Sequence, residues 1–152
     1  MKRKPTPEHL LLDQQLCFAL YAASRSVTGL YRPLLEPLGL TYPQYLVMLV
    51  LWEQDGLTVR ELGQRLQLDS GTLTPLLKRL QTAGLVGRQR RTEDEREVDI
   101  RLTEAGLALR DQASDVPKCM AQRLQLSLEQ MQTLRDELKR MTRQLQLSPT
   151  ED

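Results

Sequence analysis

The sequence predicts a mainly α-helical fold, a winged helix-turn-helix with a small β-hairpin wing, set between N- and C-terminal helices. Three observations carry that prediction. Apolar residues recur at helical spacing through most of the 152 residues. Period-two alternation appears only once, in "EVDIRLT". Ahead of that segment, two short helical stretches are joined by the tight turn "LQLDSG".

In chain order, "MKRKPTPEHLLLD" is charged, then proline-broken, and Asp13 ends its run of leucines, which is not a secretory pattern. Leu16, Leu20, Ala23, Val27 and Leu30 then mark one helix face, with Pro33 and Pro37 expected to interrupt it and Gly39 to close it. Thr41 with Gln44 forms a capping-box pattern opening a helix from roughly Tyr42 to Gln54, apolar on most sides and ended by Gly56. Thr58 with Glu61 repeats the pattern at "VRELGQRLQL". Asp69 is expected to cap the next helix, in which Leu73, Leu76 or Leu77, and Leu80 face inward and Gly84 is the stop. Pro75 lies early in that helix, where a proline costs less than the ~3 kcal/mol of a helix interior.

In "EVDIRLT", Val98, Ile100 and Leu102 alternate with Asp99 and Arg101, as in a half-buried strand, with "LVGRQRR" as partner and "TEDERE" as tip. Two strands alone are marginal in water, so the hairpin must pack on the helices. Helix returns at Glu104, is expected to be disturbed at Pro117, and restarts at Ser127 with Gln130, a third capping box. Met131, Leu134, Leu138, Met141 and Leu145 form a narrow three-four stripe that suits a partner helix.

Length fits one domain that can bury about 68–70% of its unfolded surface without disulfide staples. The longest strongly apolar stretch, Tyr45 to Trp52, is far shorter than the roughly 20 residues of a membrane span. The expectation is a cytoplasmic protein with reduced thiols and no membrane partner. His9 stands alone, and the chain has no Gly-rich phosphate loop, HExxH or CxxC, so neither metal nor cofactor is expected. Net charge is +1, and residues 58–83 carry four basic side chains against two acidic ones. Nucleic-acid binding would therefore require the fold to gather scattered charges on one face.

The helix-helix-hairpin order supplies such a face. A helix fits the major groove of DNA while a hairpin tip reaches an adjacent minor groove. With its leucines inward, the second helix turns Ser70, Thr72, Pro75, Lys78 and Arg79 outward, and its N-terminus favours phosphate. "DEREVDIRLTEAG" carries D-x-R, five residues, then L-T, and resembles the wing of the MarR family of bacterial transcription regulators. The resemblance spans nearly the whole chain and implies a single MarR-type domain over 1–152. Its dimerisation helices would occupy about 8–40 and 104–147, around a DNA-binding part at about 41–103. It also implies a homodimer on a pseudo-palindromic operator in double-stranded DNA, Arg96 entering the minor groove and Asp94 steadying it.

Within that family, "LCFALYAASRSVTGLYRPLLEPLGLTYPQYLVMLVLWE" is similar to the organic hydroperoxide repressors. That resemblance makes Cys17 the sensor and an organic hydroperoxide the oxidant. Tyr31 and Tyr42 would donate hydrogen bonds to the sulfur, the latter from the partner subunit. The chemistry is sound, because a thiolate reacts with peroxide and hydroxyl donors favour the ionised form. No cation stands three or four residues from Cys17, where Asp13, Gln14, Leu20 and Tyr21 are found, so tyrosines and a helix N-terminus must supply the activation. Tyr21 and Tyr45 are expected to pack or to line the site. Cys119, in "VPKCMAQRL", resembles the resolving cysteine of the two-cysteine subclass, which traps the sulfenic acid as an intersubunit disulfide. The residues alone leave other readings open. Either cysteine could be a small buried hydrophobe. The protein could be a MarR-type regulator released by a small aromatic ligand, or a thiol-dependent peroxidase.

Overall fold

The computed structural model describes residues 4–94 and 96–147. They divide between Pro117 and Lys118 into two compact units.

The first unit opens with short 3-10 turns at Glu8–Leu10 and Leu12–Gln14, followed by α1 (Leu16–Leu35). Pro33 does not interrupt α1 but lies inside its last turn. There it forfeits its own amide bond and crowds the carbonyl one turn back, and the helix stops two residues later. Pro37 instead sits in a 3-10 turn, Glu36–Leu38, which Gly39 closes at φ 68. Helix α2 (Tyr42–Glu53) starts on the full capping box: Gln44 donates its amide to Thr41, and the Thr41 amide donates to Gln44 Oε1 at 2.9 Å. Tyr45, Val47, Met48 and Leu51 on α2 are almost fully buried and make it the centre of the core.

The chain next makes a strand that the sequence pattern did not reveal, β1 (Leu57–Thr58). Two residues are too few to show alternation. Thr58 also caps α3 (Val59–Leu66): its hydroxyl accepts the Glu61 amide at 3.1 Å, and its amide donates to Glu61 Oε2 at 2.7 Å. Gln67 turns left-handed at φ 55 to end α3, and α4 (Ser70–Thr82) follows. Leu73, Leu76, Leu77 and Leu80 are all buried, so both candidate leucines at the second inward position face the core. Asp69 occupies the N-cap without making a side-chain cap bond. Its Oδ1 accepts the Thr72 hydroxyl at 2.6 Å instead, a charge-assisted bond that competes with backbone capping.

Strands β2 (Val86–Arg90) and β3 (Val98–Leu102) pair antiparallel from Val86↔Leu102 to Arg90↔Val98. β1 adds to the other edge of β3, giving the order β1-β3-β2. The expected alternation along β3 fails at Asp99, which is buried because Arg91 pairs with its carboxylate. Thr103 then caps α5 (Glu104–Gln112) by accepting the Gly106 amide at 3.1 Å, while donating its hydroxyl to the Gly84 carbonyl at 2.6 Å. The predicted break near Pro117 is a start: α6 (Val116–Leu124) carries Pro117 at its second position, where no intrahelical amide bond is needed.

In the second unit, the Ser127–Gln130 capping box forms with bonds of 2.9 and 3.1 Å and opens α7 (Leu128–Leu147). Along its stripe Leu134, Leu138 and Leu145 are exposed, and Met131 and Met141 are half-buried. Among the described residues no single helix is long and apolar enough to cross a membrane.

Candidate nucleic-acid interface and the helix-borne thiol

The turn between α3 and α4 holds the helix-turn-helix, and all five predicted outward residues of α4 are exposed: Ser70, Thr72, Pro75, Lys78 and Arg79. Ser70 and Thr72 lie in the first turn, where amide groups are free to meet phosphate. The Thr72 hydroxyl is already committed to Asp69, and that bond holds the Asp69 carboxyl below its usual range. Lys78 and Arg79 have no ion-pair partner among the described residues, so their charge is available.

The wing extends beyond β1, whose pairing with β3 reaches only Ile100 and Asp99. At the tip, Asp94 Oδ1 accepts the Arg96 amide at 3.0 Å, and the Asp94 carbonyl accepts the Glu97 amide at 3.1 Å. Arg96, Arg88 and Arg90 are exposed. Arg91 is different. Its Nε donates to Asp99 Oδ1 at 2.6 Å and its Nη1 to Glu97 Oε2 at 2.9 Å, while Glu61 lies 3.8 Å from Nη2. Sequence reasoning could not separate Arg91 from its neighbours, because only the fold brings Glu61 to it.

Cys17 is the second residue of α1 and is exposed, next to amides that no side chain caps. Tyr31 lies fourteen residues further along the same helix, roughly 21 Å away at 1.5 Å per residue. It packs instead on Tyr42, ring centroids 4.5 Å apart, and on Tyr45 at 5.8 Å. The structure thus brings the two predicted tyrosines together but keeps both away from the thiol of their own chain. The expectation that only Tyr42 would come from the partner is corrected by helix length: Tyr31 can reach a Cys17 only in a second copy. Burial, reinforced by Tyr42 and Tyr45, pushes the Tyr31 hydroxyl up to about 12, and burial also raises Tyr42. Both are neutral donors throughout the ordinary pH range. Tyr45 is core, whereas Tyr21 is 59% exposed with the Arg25 guanidinium 5.6 Å from its ring.

A cleft of about 680 Å³ lies beside Tyr42, between the second half of α1 and the start of α2, and is lined by Arg25, Thr28, Arg32 and Thr41. No sequence pattern marks it. Cys119 is part-exposed on α6. Among the described residues no group of three or more His, Cys, Asp or Glu side chains could hold a metal ion.

The family described as Transcriptional regulator SarA/Rot matches residues 29–112 of this chain. The chain is 56% identical over 110 residues to the organic hydroperoxide resistance transcriptional regulator of Bacillus subtilis, covering 72% of this chain and 75% of that protein. It is 50% identical over 134 residues to the HTH-type transcriptional regulator TtmR of Methylorubrum extorquens, covering 88% and 69%. Among solved structures, reduced AbfR bound to DNA matches with a TM-score of 0.73 at 37% identity, over 88% of this chain and 94% of that one. Disulfide-formed AbfR matches with a TM-score of 0.62 at 37% identity, over 90% and 93%.

Proposed function

Because the chain belongs to the SarA/Rot family of transcriptional regulators, of MarR-like winged-helix type, we propose that it is a peroxide-sensing repressor that leaves its operator when Cys17 is oxidised. The observation that carries this reading is the placement of Cys17, exposed at the amide end of α1. The first amides of a helix have no intrahelical partner, so donors stand free beside the sulfur. The likeness to an organic hydroperoxide resistance regulator names the oxidant class. AbfR, solved reduced on DNA, overoxidised on DNA and as a disulfide, supports a thiol that senses redox state. The relatives are DNA-binding regulators and not enzymes, which sets the peroxidase reading aside.

In a homodimer, Tyr31 and Tyr42 of one copy meet Cys17 of the other and donate to its sulfur. The thiolate attacks the terminal oxygen of an organic hydroperoxide, the O–O bond breaks, and the alkoxide leaves and takes a proton from solvent. Sulfur is oxidised by two electrons to the sulfenic acid, and the peroxide is reduced to an alcohol. The Cys119 thiol of the other subunit then attacks that sulfur, forming S–S while its proton leaves with the sulfenic hydroxyl as water. The exposed leucines of α7 supply a dimer contact. On DNA, α4 enters the major groove with Ser70, Thr72, Pro75, Lys78 and Arg79, and the wing carries Arg96, steadied by Asp94, to the minor groove. Such a regulator acts in the cytoplasm, on double-stranded DNA.

Mass spectrometry after one equivalent of cumene hydroperoxide tests the chemistry. The expected product is a dithiol-reducible dimer linking Cys17 to Cys119. Both thiols free after treatment would refute it. A second reading, release by a small aromatic ligand, is favoured by the cleft and its two arginines. DNA release by such a ligand without any thiol modification would select it.

A further inference from the structure

We propose that Arg91 is a positioning residue for operator recognition, a tether that fixes the wing, and with it Arg96, relative to the recognition helix. The proposal rests on the DNA-binding reading above. It begins with a mechanical problem. Past Asp99 the wing is a two-stranded ribbon, because β1 pairs with β3 only at Ile100 and Asp99. An isolated two-stranded ribbon is marginal, so nothing in the sheet itself sets its direction.

Arg91 sits where β2 leaves its ladder with β3, and its backbone amide donates to the Glu97 carbonyl at 3.0 Å. Its three guanidinium nitrogens face three carboxylates on different parts of the head. Nε holds Asp99 on β3, Nη1 holds Glu97 at the base of the tip, and Nη2 lies 3.8 Å from Glu61 on α3. Glu61 Oε2 is the same oxygen that accepts the Thr58 amide in the capping box of α3. The wing is therefore fastened to the helix-turn-helix through the group that starts its first helix.

The surroundings argue against Arg91 as a phosphate contact. Its Nε and Nη1 are committed by hydrogen bonds, and Asp99, Glu97 and Glu61 outnumber Arg91 and Arg101, the latter 3.7 Å from Asp99. A phosphate would have to enter a site of net negative charge. Exposed Arg88, Arg90 and Arg96 have no such neighbours in ion-pair range among the described residues. A planar fork spans three acceptors at once, and a lysine ammonium cannot.

The test is a mutant cycle on a duplex selected by the wild-type protein from a randomised pool. Arg91→Gln should weaken binding by roughly tenfold, the order of one lost groove arginine. Arg91→Lys should not restore it. The decisive readout is coupling: the penalty of Arg96→Ala should largely vanish in the Arg91→Gln background, while that of Thr72→Ala persists. Additive penalties, or full rescue by lysine, would make Arg91 a direct contact and overturn the proposal. Glu61→Gln keeps an acceptor for the Thr58 amide but removes the charge facing Arg91. It should show a smaller loss with the same coupling to Arg96, and wild-type affinity there would overturn the tether. A wild-type protein that selects no duplex would instead overturn the DNA-binding reading itself.

Discussion

Replacing Gly106 with alanine sets two effects of opposite sign against each other. Gly106 is a buried helical residue of α5, and alanine in a helix is favoured over glycine by about 1 kcal/mol. The structure decides against that gain. A Cβ at this position would fall on the carbonyl of Leu85, far inside van der Waals contact, with Leu102 Cδ2 at 3.3 Å on another side. The start of α5 would have to move away from the root of β2. The Leu85 carbonyl accepts the Thr103 amide at 3.1 Å, and the Gly106 carbonyl accepts Trp52 Nε1 at 2.9 Å. Stretching these bonds costs about 0.5–1.5 kcal/mol each, and overpacking adds about 1–3 kcal/mol. The net expectation is a loss of roughly 1–5 kcal/mol. Urea unfolding at matched protein concentration measures it, since dimer stability depends on concentration. A variant with an equal or higher midpoint and an unchanged slope would refute the packing argument.

Three further outcomes are expected. Arg96→Ala should weaken duplex binding by about 1–3 kcal/mol, whereas Arg135→Ala on α7 should leave it unchanged; a salt titration of each variant checks both. The Tyr31 hydroxyl is raised from 10.0 to about 12, so the fold favours its neutral form; that stability is complete below pH 10.0 and is lost as the pH climbs toward about 12. Tyr31→Phe should lose less stability across that window in urea titrations, and a wild type insensitive to it would contradict the burial. Cys119→Ser should stop oxidation at a sulfenic or over-oxidised Cys17 and release DNA less reversibly, read by mass spectrometry and a dithiol chase.

Much of the helical order was legible because its signals are local. Thr41–Gln44, Thr58–Glu61 and Ser127–Gln130 each lie within one turn, and all three boxes close as expected. Gly39, Gly56 and Gly84 stand where the helical pattern stops, and each has a positive φ that other residues rarely adopt. What escaped was non-local. β1 exists only because β3, over forty residues later, offers it a ladder. Asp99 looked solvent-facing by alternation, but Arg91 draws it in. Breaks are expected at Pro33 and Pro117, yet Pro117 falls in a first turn where no amide bond is lost, and Pro33 falls two residues before α1 ends, where a lost bond leaves little helix to disturb. The outward residues of α4 were predictable from the leucine period alone. The separation of Cys17 from Tyr31 was also present in the numbering, and the continuity of α1 keeps Tyr31 from the thiol of its own chain.

The central claim is that oxidation of one thiol governs DNA occupancy. Its most direct test is duplex binding by wild type and Cys17→Ser, before and after one equivalent of cumene hydroperoxide. The account predicts that both bind when reduced, that wild type is released by the peroxide and rebinds after dithiol, and that Cys17→Ser stays bound. Release of Cys17→Ser by the same peroxide, or retention of DNA by a wild type whose Cys17 is oxidised, would contradict it.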